Sequence, residues 1–196
     1  MTTSAGAEVI LRGRGFRRNG FCVILGTLKE RGVWMKKIKL ALLGLGTVGS
    51  GVYKLIDMRS DVMEQTIGSQ LEIKKILVHN MHKKREGVDP SLLTDDWKEI
   101  IEDDEIQIVV EVIGGMEPAR TMILEALRAG KHVVSANKDL IAEQGRELLD
   151  TAQETGADFL FEAAVAGGIP IIRPLKQCLA ANEISEVLGI VNGTTN

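Results

Sequence analysis

Three glycines with the spacing G-x-G-x-x-G stand between a short apolar run, residues 38–43, and a stretch of helical periodicity. In a strand–turn–helix setting this spacing predicts a turn that holds a pyrophosphate. Gly44 would allow the tight turn, Gly46 would let a phosphate approach the backbone, and Gly49 would let the helix lie close to the strand. The N–H groups and the dipole of the helix start would bind the anion. The predicted phosphate-binding residues are Gly44, Leu45, Gly46, Thr47, Val48 and Gly49. A glycine-rich structural turn is the alternative.

A basic segment, residues 79–85, follows the second apolar run, residues 71–78, which is predicted to be a strand. NAD-specific domains of this kind carry an acid at the end of that strand, where it binds the ribose 2′-hydroxyl. No acid stands there in this chain. Lys83 and Arg85 could instead neutralise a 2′-phosphate, which favours NADP(H) over NAD(H). A solvated loop with incidental charges is the alternative.

Two later apolar runs, residues 106–113 and 132–135, are also predicted to be strands. Their carboxyl ends would bring Gly114 and Ser135 to one edge of a parallel sheet, where cofactors lie in open α/β folds. Lys138 follows at the same edge. A lysine in this position can contact a phosphate, a carboxylate or a reacting oxygen, and a plain surface lysine is the alternative.

Residues 162–170 combine small side chains, two glycines and one carboxylate, that of Glu162. Such a stretch exposes backbone carbonyl oxygens, which are ligands that hard cations prefer. On residue types alone, however, a glycine-rich hinge between two domains is favoured over a cation site.

Apolar runs and helical patterns alternate along the chain, and connections of this length predict an α/β fold with a doubly wound parallel sheet of the Rossmann type. Residues 158–165 are predicted to be a further strand. Five helices are predicted. The first has Val48, Val52, Leu55 and Ile56 facing inward, the second is N-capped by Thr94, and the third runs from Pro118 to Gly130. The fourth has Ile141, Leu148, Leu149 and Ala152 facing inward and ends at Gly156, and the fifth begins at Pro170 and contains Ile171, Leu175, Cys178 and Leu179.

The composition argues against several classes of partner. A net charge of −3 and an aromatic content of 4% give no reason to expect a nucleic acid. No apolar run approaches the length of a membrane span. Cys22 and Cys178 form no metal-binding or redox spacing, so a reducing, cytoplasmic location is expected and each cysteine is interpreted as a small buried hydrophobe.

The first 34 residues differ from the rest, with six basic and two acidic side chains and no clear periodicity. Residues 29–32 can be encoded by a purine run that resembles a ribosome-binding site placed just before the codon for Met35. We therefore expect residues 1–34 to be a disordered leader that is not part of the natural protein. A transit peptide is the alternative. The expected domains are a dinucleotide-binding domain over residues 35–165, and a hinge with the start of a truncated α+β substrate domain over residues 166–196.

Several motifs in this order resemble bacterial homoserine dehydrogenases. They are the glycine-rich turn at 44–49, Glu-Val-Ile-Gly-Gly at 111–115, Ser-Ala-Asn-Lys at 135–138, the stretch at 162–170, and Asn-Gly-Thr-Thr-Asn at 192–196. The resemblance extends from Met35 to Asn196. It implies interconversion of L-homoserine and L-aspartate 4-semialdehyde with NAD(P), on the route to threonine, methionine and isoleucine.

The resemblance also implies roles for particular residues. Lys138 would contact the cofactor near the reacting groups, with Gly114 and Ser135 along the nicotinamide. Gly193 and Thr194 would lie at the start of the substrate-binding region. A monovalent cation site, usually sodium, would be formed by Glu162, Val165, Gly167 and Ile169.

Members of this family are usually homodimers, and their substrate-binding acids and principal proton-carrying lysine correspond to positions beyond Asn196. We therefore expect residues 1–196 to bind cofactor but to turn over little or no homoserine alone. Many relatives carry an arginine near the position of His79, and its absence weakens the preference for NADP. The alternatives are a non-catalytic NAD(P)-binding module and another NAD(P)-dependent reductase. An aspartate-semialdehyde dehydrogenase would need a nucleophilic cysteine, for which Cys178 is poorly placed.

Overall fold

The computed structural model describes residues 37–188, and within them six strands form one sheet. The strand order is β3-β2-β1-β4-β5-β6, and every neighbouring pair is parallel. This confirms the predicted parallel α/β fold of the Rossmann type. The strands are β1 Ile38–Leu43, β2 Leu71–Leu77, β3 Leu93–Thr94, β4 Ile106–Glu111, β5 His132–Ser135 and β6 Phe159–Leu160.

Helices cover both faces of this sheet. On one face Ile123, Leu127 and Leu148 pack with β1 residues Ala41 and Leu43 in a buried cluster. On the other face Leu42 and Ile76 pack with residues of the first helix. Successive β1 side chains thus enter opposite cores, as the alternation of a strand requires. The helices are α1 Thr47–Met58, α2 Ser60–Ile67, α3 Lys98–Ile101, α4 Ala119–Arg128 and α5 Lys138–Thr155.

The strand order reverses between β1 and β4, because β1 lies between β2 on one side and β4 on the other. In open α/β sheets the crevice at the carboxyl ends of such a pair is where ligands bind. The fold therefore places three loops around one crevice: the turn between β1 and α1, the loop after β4, and the loop after β5.

The inward face of α1 agrees with the prediction at Val52 and Ile56 but not at Val48 and Leu55. Val48 and Leu55 are 55% and 53% exposed, whereas Gly49 is buried and Val52 and Ile56 are half-buried. The inward stripe therefore runs through positions 49, 52, 53 and 56, the i, i+3, i+4, i+7 spacing of a helix face. Because Gly49 has no side chain, the pattern of apolar side chains in the sequence does not mark it as part of the inward stripe.

A similar offset occurs on α5, where Leu148 and Ala152 are buried as predicted but Leu149 is 38% exposed. The end of this helix agrees with the prediction, since Gly156 ends it in the left-handed conformation at φ 74°. Strands β2 and β4 end one and two residues earlier than predicted.

The helix cap assigned to Thr94 is wrong, because Leu93–Thr94 forms the edge strand β3 beside β2. The side chain of Asp96 instead accepts a hydrogen bond from the Lys98 N–H at 2.9 Å, at the start of α3. Two short elements, β3 and α2, were absent from the prediction. A strand of two residues is too short to give a periodic signal.

The segment after α5 departs most from the prediction. Only Phe159–Leu160 is a strand, and Glu162–Ala164 forms a 3₁₀ turn in place of the predicted strand over 158–165. The expected helix after Pro170 is a π-helical turn over Pro174–Cys178, with Ile171 and Leu179 outside it. Pro174 cannot donate an α-helical hydrogen bond, and the Leu179 N–H reaches back five residues to its carbonyl oxygen at 3.3 Å. Cys178 is exposed, not buried as expected.

Candidate dinucleotide-binding site

The turn between β1 and α1 has the backbone geometry that its glycines predict. Gly44 has φ +98°, and a Cβ there would lie 3.0 Å from the carbonyl oxygen of Val112. At Gly49 a Cβ would lie 2.2 Å from the Gly44 carbonyl oxygen, so no side chain fits between the helix and the turn. A Cβ on Gly46 would meet no atom within 4 Å. Gly44 and Gly49 are therefore required by the fold, whereas the space beside Gly46 is open to a ligand.

The start of α1 is open to an anion. Gly46 is its N-cap, no side chain caps the helix, and Thr47 and Val48 are exposed. The first N–H groups of a helix have no intrahelical partner, and the helix dipole makes this end positive. A phosphate group is therefore a suitable ligand for this turn.

A buried hydrogen-bond network joins the loops after β4 and β5. Glu111 ends β4 and is 0% exposed. Its Oε1 accepts from the N–H groups of Ile113 at 2.9 Å and Gly114 at 3.2 Å, and its Oε2 accepts from the Ser135 hydroxyl at 2.6 Å. The predicted nicotinamide residues Gly114 and Ser135 are therefore brought together by a single carboxylate.

Lys138 is the first residue of α5, and it is exposed at the same sheet edge. The residue before it, Asn137, caps the helix by accepting from the Leu140 N–H at 3.3 Å. Its side-chain amide also donates to the Gly115 carbonyl oxygen at 2.6 Å. These bonds fix the backbone from which Lys138 projects.

The basic loop after β2 is organised by Asn80. Its side-chain oxygen accepts from the N–H groups of His82 at 2.9 Å and Lys83 at 3.2 Å, which is the hydrogen-bond pattern of an Asx turn. The Arg85 guanidinium donates to the carbonyl oxygens of Asn80 at 3.0 Å and Lys83 at 2.8 Å. Part of the Arg85 side chain therefore closes the loop, while Lys83 is exposed.

The carboxylate of Glu162 accepts hydrogen bonds from three successive backbone N–H groups. They belong to Ile171 at 2.5 Å, Ile172 at 2.9 Å and Arg173 at 2.9 Å. Burial acts to raise the pKa of Glu162, but these hydrogen bonds outweigh it, and the pKa lies below its usual value. Glu162 thus ties the 3₁₀ turn to the start of the following helical turn.

The backbone turns sharply just after Glu162, with left-handed φ values of 57° at Ala166 and 61° at Gly167. The Ala166 carbonyl oxygen accepts from the Ile169 N–H at 3.2 Å. Among the described hydrogen bonds, the carbonyl oxygens of Val165, Gly167 and Ile169 accept none. Residues 37–188 contain no group of three or more His, Cys, Asp or Glu side chains placed to hold a metal ion.

Sequence reasoning missed the roles of Glu111, Asn137 and Asn80 as loop-fixing side chains. A sequence signal existed for Glu111, because a carboxylate that ends a buried apolar strand before two glycines needs hydrogen-bond donors. The predicted substrate residues Gly193 and Thr194, the leader 1–34 and Cys22 lie outside the described residues. In the part of the chain that the structure describes, no helix is both long and apolar enough to cross a membrane.

The strand order, the glycine-rich turn at the strand-order reversal and the loops around it define a dinucleotide-binding domain of the Rossmann type. Residues 44–162 match the family model described as "Homoserine dehydrogenase, NAD binding domain". The chain therefore belongs to the homoserine dehydrogenase family.

Individual relatives agree with this assignment. The chain is 50% identical over 163 residues to the homoserine dehydrogenase of Bacillus subtilis, and 50% identical over 159 residues to that of Corynebacterium glutamicum. The match to the Bacillus subtilis protein covers 83% of this chain but only 38% of that protein's length. The match to the Corynebacterium glutamicum protein covers 81% of this chain and 36% of that protein's length.

Solved structures of homoserine dehydrogenases share the fold. The enzyme from Thiobacillus denitrificans superposes with a TM-score of 0.70 at 44% identity, over 76% of this chain and 34% of that one. A hyperthermophilic archaeal homoserine dehydrogenase in complex with NADPH has a TM-score of 0.58 at 28% identity, over 71% of this chain and 48% of that one.

Proposed function

We propose that the described residues supply the cofactor-binding half of a homoserine dehydrogenase, which interconverts L-homoserine and L-aspartate 4-semialdehyde with NAD(P). The observation that carries this proposal is the turn at 44–49. Its open face at Gly46 and its uncapped helix start lie at the strand-order reversal, where a pyrophosphate would be held. The family assignment supplies the substrate and the reaction.

The cofactor would lie across the carboxyl edge of the sheet. Its pyrophosphate would contact residues 44–49, and its nicotinamide would lie along Gly114 and Ser135, with Lys138 beside it. When bound, the nicotinamide supplies the hydride chemistry. The protein residues orient it through the loops after β4 and β5. By family resemblance, the principal proton-carrying lysine corresponds to a position beyond Asn196, where the substrate-binding part would continue from residues 166–196.

The cofactor is proposed to be NADP(H) in preference to NAD(H). Support comes from the loop after β2, which has no acid at the position of the 2′-hydroxyl ligand and presents Lys83 to solvent. The archaeal relative that was solved with NADPH agrees with this preference. Because Arg85 is partly engaged within the loop, Lys83 would supply most of the charge facing a 2′-phosphate.

We also propose a sodium site at the sharp turn after Glu162. The carbonyl oxygens of Val165, Gly167 and Ile169 are suitable ligands, since they accept no hydrogen bond among the described residues. Thermal unfolding in sodium chloride and in tetramethylammonium chloride of equal ionic strength tests this site. Sodium binding to the folded state would raise Tm, whereas equal Tm values would exclude it.

A homodimeric assembly is proposed on family resemblance alone, and sedimentation of the longer protein tests it.

The proposed function is tested by titrating residues 1–196 with NADPH and following nicotinamide fluorescence. We expect saturable binding, and no reduction of NADP⁺ when homoserine is added to this chain alone. A chimera then separates an enzyme from a non-catalytic module: residues 35–196 are joined to the part of the Bacillus subtilis relative that they do not span. Homoserine-dependent reduction by the chimera supports the proposal. A chimera that binds NADPH without turnover contradicts it.

A further inference from the structure

The side chain of Glu111 is the most deeply buried acid near the proposed cofactor site. It is 0% exposed at the carboxyl end of the central strand β4. All three of its hydrogen-bond partners lie in loops of this sheet edge: two are backbone N–H groups of residues 113 and 114, and the third is the hydroxyl of Ser135. Among the described residues, none of the ion pairs includes it. A buried carboxylate destabilises the folded state unless its oxygens are satisfied by hydrogen bonds.

The hydroxyl of Ser135 extends this arrangement to α5. Its oxygen accepts from the Asn137 N–H at 3.1 Å, so its single hydrogen is available for the Glu111 carboxylate at 2.6 Å. The Asn137 side chain then donates back to the Gly115 carbonyl oxygen at 2.6 Å. The loop after β4 and the start of α5 are therefore joined twice, once through Glu111 and Ser135 and once through Asn137.

A carboxylate suits this position better than any neutral side chain. It accepts on both oxygens and donates on neither, which matches two backbone N–H groups on one side and a hydroxyl on the other. Glutamine could accept on only one side. Its amide would donate to the Ser135 oxygen, which already accepts from Asn137, and the serine hydrogen would lose its acceptor.

We propose that Glu111 is a positioning residue that holds Gly114 and the Lys138-bearing start of α5 as one rigid platform for the nicotinamide end of the cofactor. This inference rests on the proposed function. Glu111 is buried beneath the loops and acts through Ser135 and the backbone of residues 113 and 114. The side chain of Glu111 makes no described hydrogen bond with the glycine-rich turn at 44–49, which would hold the pyrophosphate. The turn is linked to this network only indirectly, where Gly44 packs against the backbone of Val112 and Ile113. The two ends of the cofactor should therefore respond differently to a change at this residue.

Binding of two ligands to residues 1–196 tests the proposal. The ligands are NADPH and 2′-phospho-ADP-ribose, which lacks the nicotinamide. In the wild-type chain NADPH should bind more tightly. The Glu111→Ala variant should bind NADPH about tenfold more weakly, because two loop N–H groups lose their acceptor. Its affinity for 2′-phospho-ADP-ribose should fall clearly less than its affinity for NADPH, because Glu111 is hydrogen-bonded to the loops at the nicotinamide end and not to the turn at 44–49. The NADPH affinity of the Glu111→Gln variant should lie between those of the wild type and of Glu111→Ala.

The Ser135→Ala variant is the matched partner for a double-mutant cycle. Because Glu111 and Ser135 are in contact, their substitutions should not act independently. The fold-loss of NADPH affinity in the double variant Glu111→Gln with Ser135→Ala should be smaller than the product of the fold-losses in the two single variants. Independent effects on NADPH binding would contradict a shared platform.

Three further results would overturn the proposal. If Glu111→Ala and Glu111→Gln bind NADPH as wild type does, the platform is refuted while the proposed function stands. If a folded variant loses affinity for NADPH and for 2′-phospho-ADP-ribose by the same factor, Glu111 supports the domain as a whole and does not position the nicotinamide end. If the wild-type chain binds neither ligand, the proposed function fails and the inference fails with it. Should Glu111→Ala not fold, Glu111→Gln and Ser135→Ala decide the question.

Discussion

At the scale of single residues, polar side chains in this chain act mainly by completing backbone hydrogen bonds. Asn80, Glu111 and Asn137 each accept from backbone N–H groups at the carboxyl edge of the sheet, those of two loops and of the first turn of α5. Glycine acts in the opposite way, by leaving room. Gly46 has free space where a Cβ would stand, and Gly49 has none. The site is therefore shaped as much by missing side chains as by present ones.

Lys83 provides a residue-scale prediction about cofactor choice. The Lys83→Ala variant should bind NADPH several-fold more weakly and NADH about equally, because only NADPH carries the 2′-phosphate that an exposed cation would face. The difference should shrink at high salt, which screens exposed charges. Fluorescence titrations with both cofactors measure this. Arg128→Ala, which changes an exposed cation at the far end of α4, is the control. An equal loss for NADH would show that the lysine only supports the loop.

At the scale of elements, the sequence predicts what is long and repetitive and misses what depends on tertiary context. Strands β1, β2, β4 and β5 follow from apolar runs, and the end of α5 follows from Gly156. The inward face of α1 is predicted only in part, because Gly49, its most buried member, carries no side chain. The strand predicted over 158–165 is short because the Glu162 carboxylate bonds to residues 171–173, an interaction that no local pattern reveals.

The candidate site shows the same division. Its glycine-rich turn has a fixed spacing that can be recognised in sequence, and the turn geometry is as predicted. The Glu111–Ser135–Asn137 network depends on β4 and β5 being neighbours, with Glu111 opposite Ser135 in the strand register. Residues that are 24 positions apart give no local signal of such a hydrogen bond.

The packing of α1 gives an element-scale prediction. The Gly49→Ala variant should lose about 1–3 kcal/mol of unfolding free energy, because its Cβ would press on the Gly44 carbonyl oxygen, which cannot move aside as a flexible side chain would. Gly51→Ala is a matched control on the same helix, since its Cβ meets no atom within 4 Å. Alanine there should stabilise the helix by up to about 1 kcal/mol. Urea unfolding measures both, and equal stability of the two variants would refute close packing at Gly49.

At the scale of the whole domain, the two edges of the sheet have different chemistry. The carboxyl edge carries the glycine-rich turn and the Glu111 network. The start of β4 is instead surrounded by ion pairs, in which Glu105 contacts Lys39 at 2.7 Å and Lys74 at 2.6 Å, while Lys74 also pairs with Asp103. These contacts connect β1, β2 and the loop before β4. One edge thus carries the proposed cofactor site, and at the other edge ion pairs join the strands.

The ion pairs near the start of β4 predict a dependence of stability on pH. Hydrogen bonds from Lys39 and Lys74 lower the pKa of Glu105 to about 2. Because the folded pKa is depressed, the stabilisation is complete above the ordinary value of about 4.3 and is lost as pH falls toward 2. Glu105→Gln should therefore be less stable than wild type near neutral pH, and this difference should shrink between about pH 5 and pH 2. Glu143→Gln, which removes an exposed carboxylate on α5 outside the described ion pairs, is the control. A constant difference for Glu105→Gln would contradict the assignment.

Binding of the NAD(P) phosphates at the turn at 44–49 can be measured by NADPH titration of Gly46→Ala beside Gly51→Ala. Neither added Cβ meets a protein atom within 4 Å, so both variants should fold. We expect Gly46→Ala to bind NADPH at least about tenfold more weakly than wild type, because its methyl group occupies the space a phosphate needs. Gly51→Ala should bind NADPH as wild type does. Equal, undiminished affinity in the two variants would show that the cofactor does not bind at this turn.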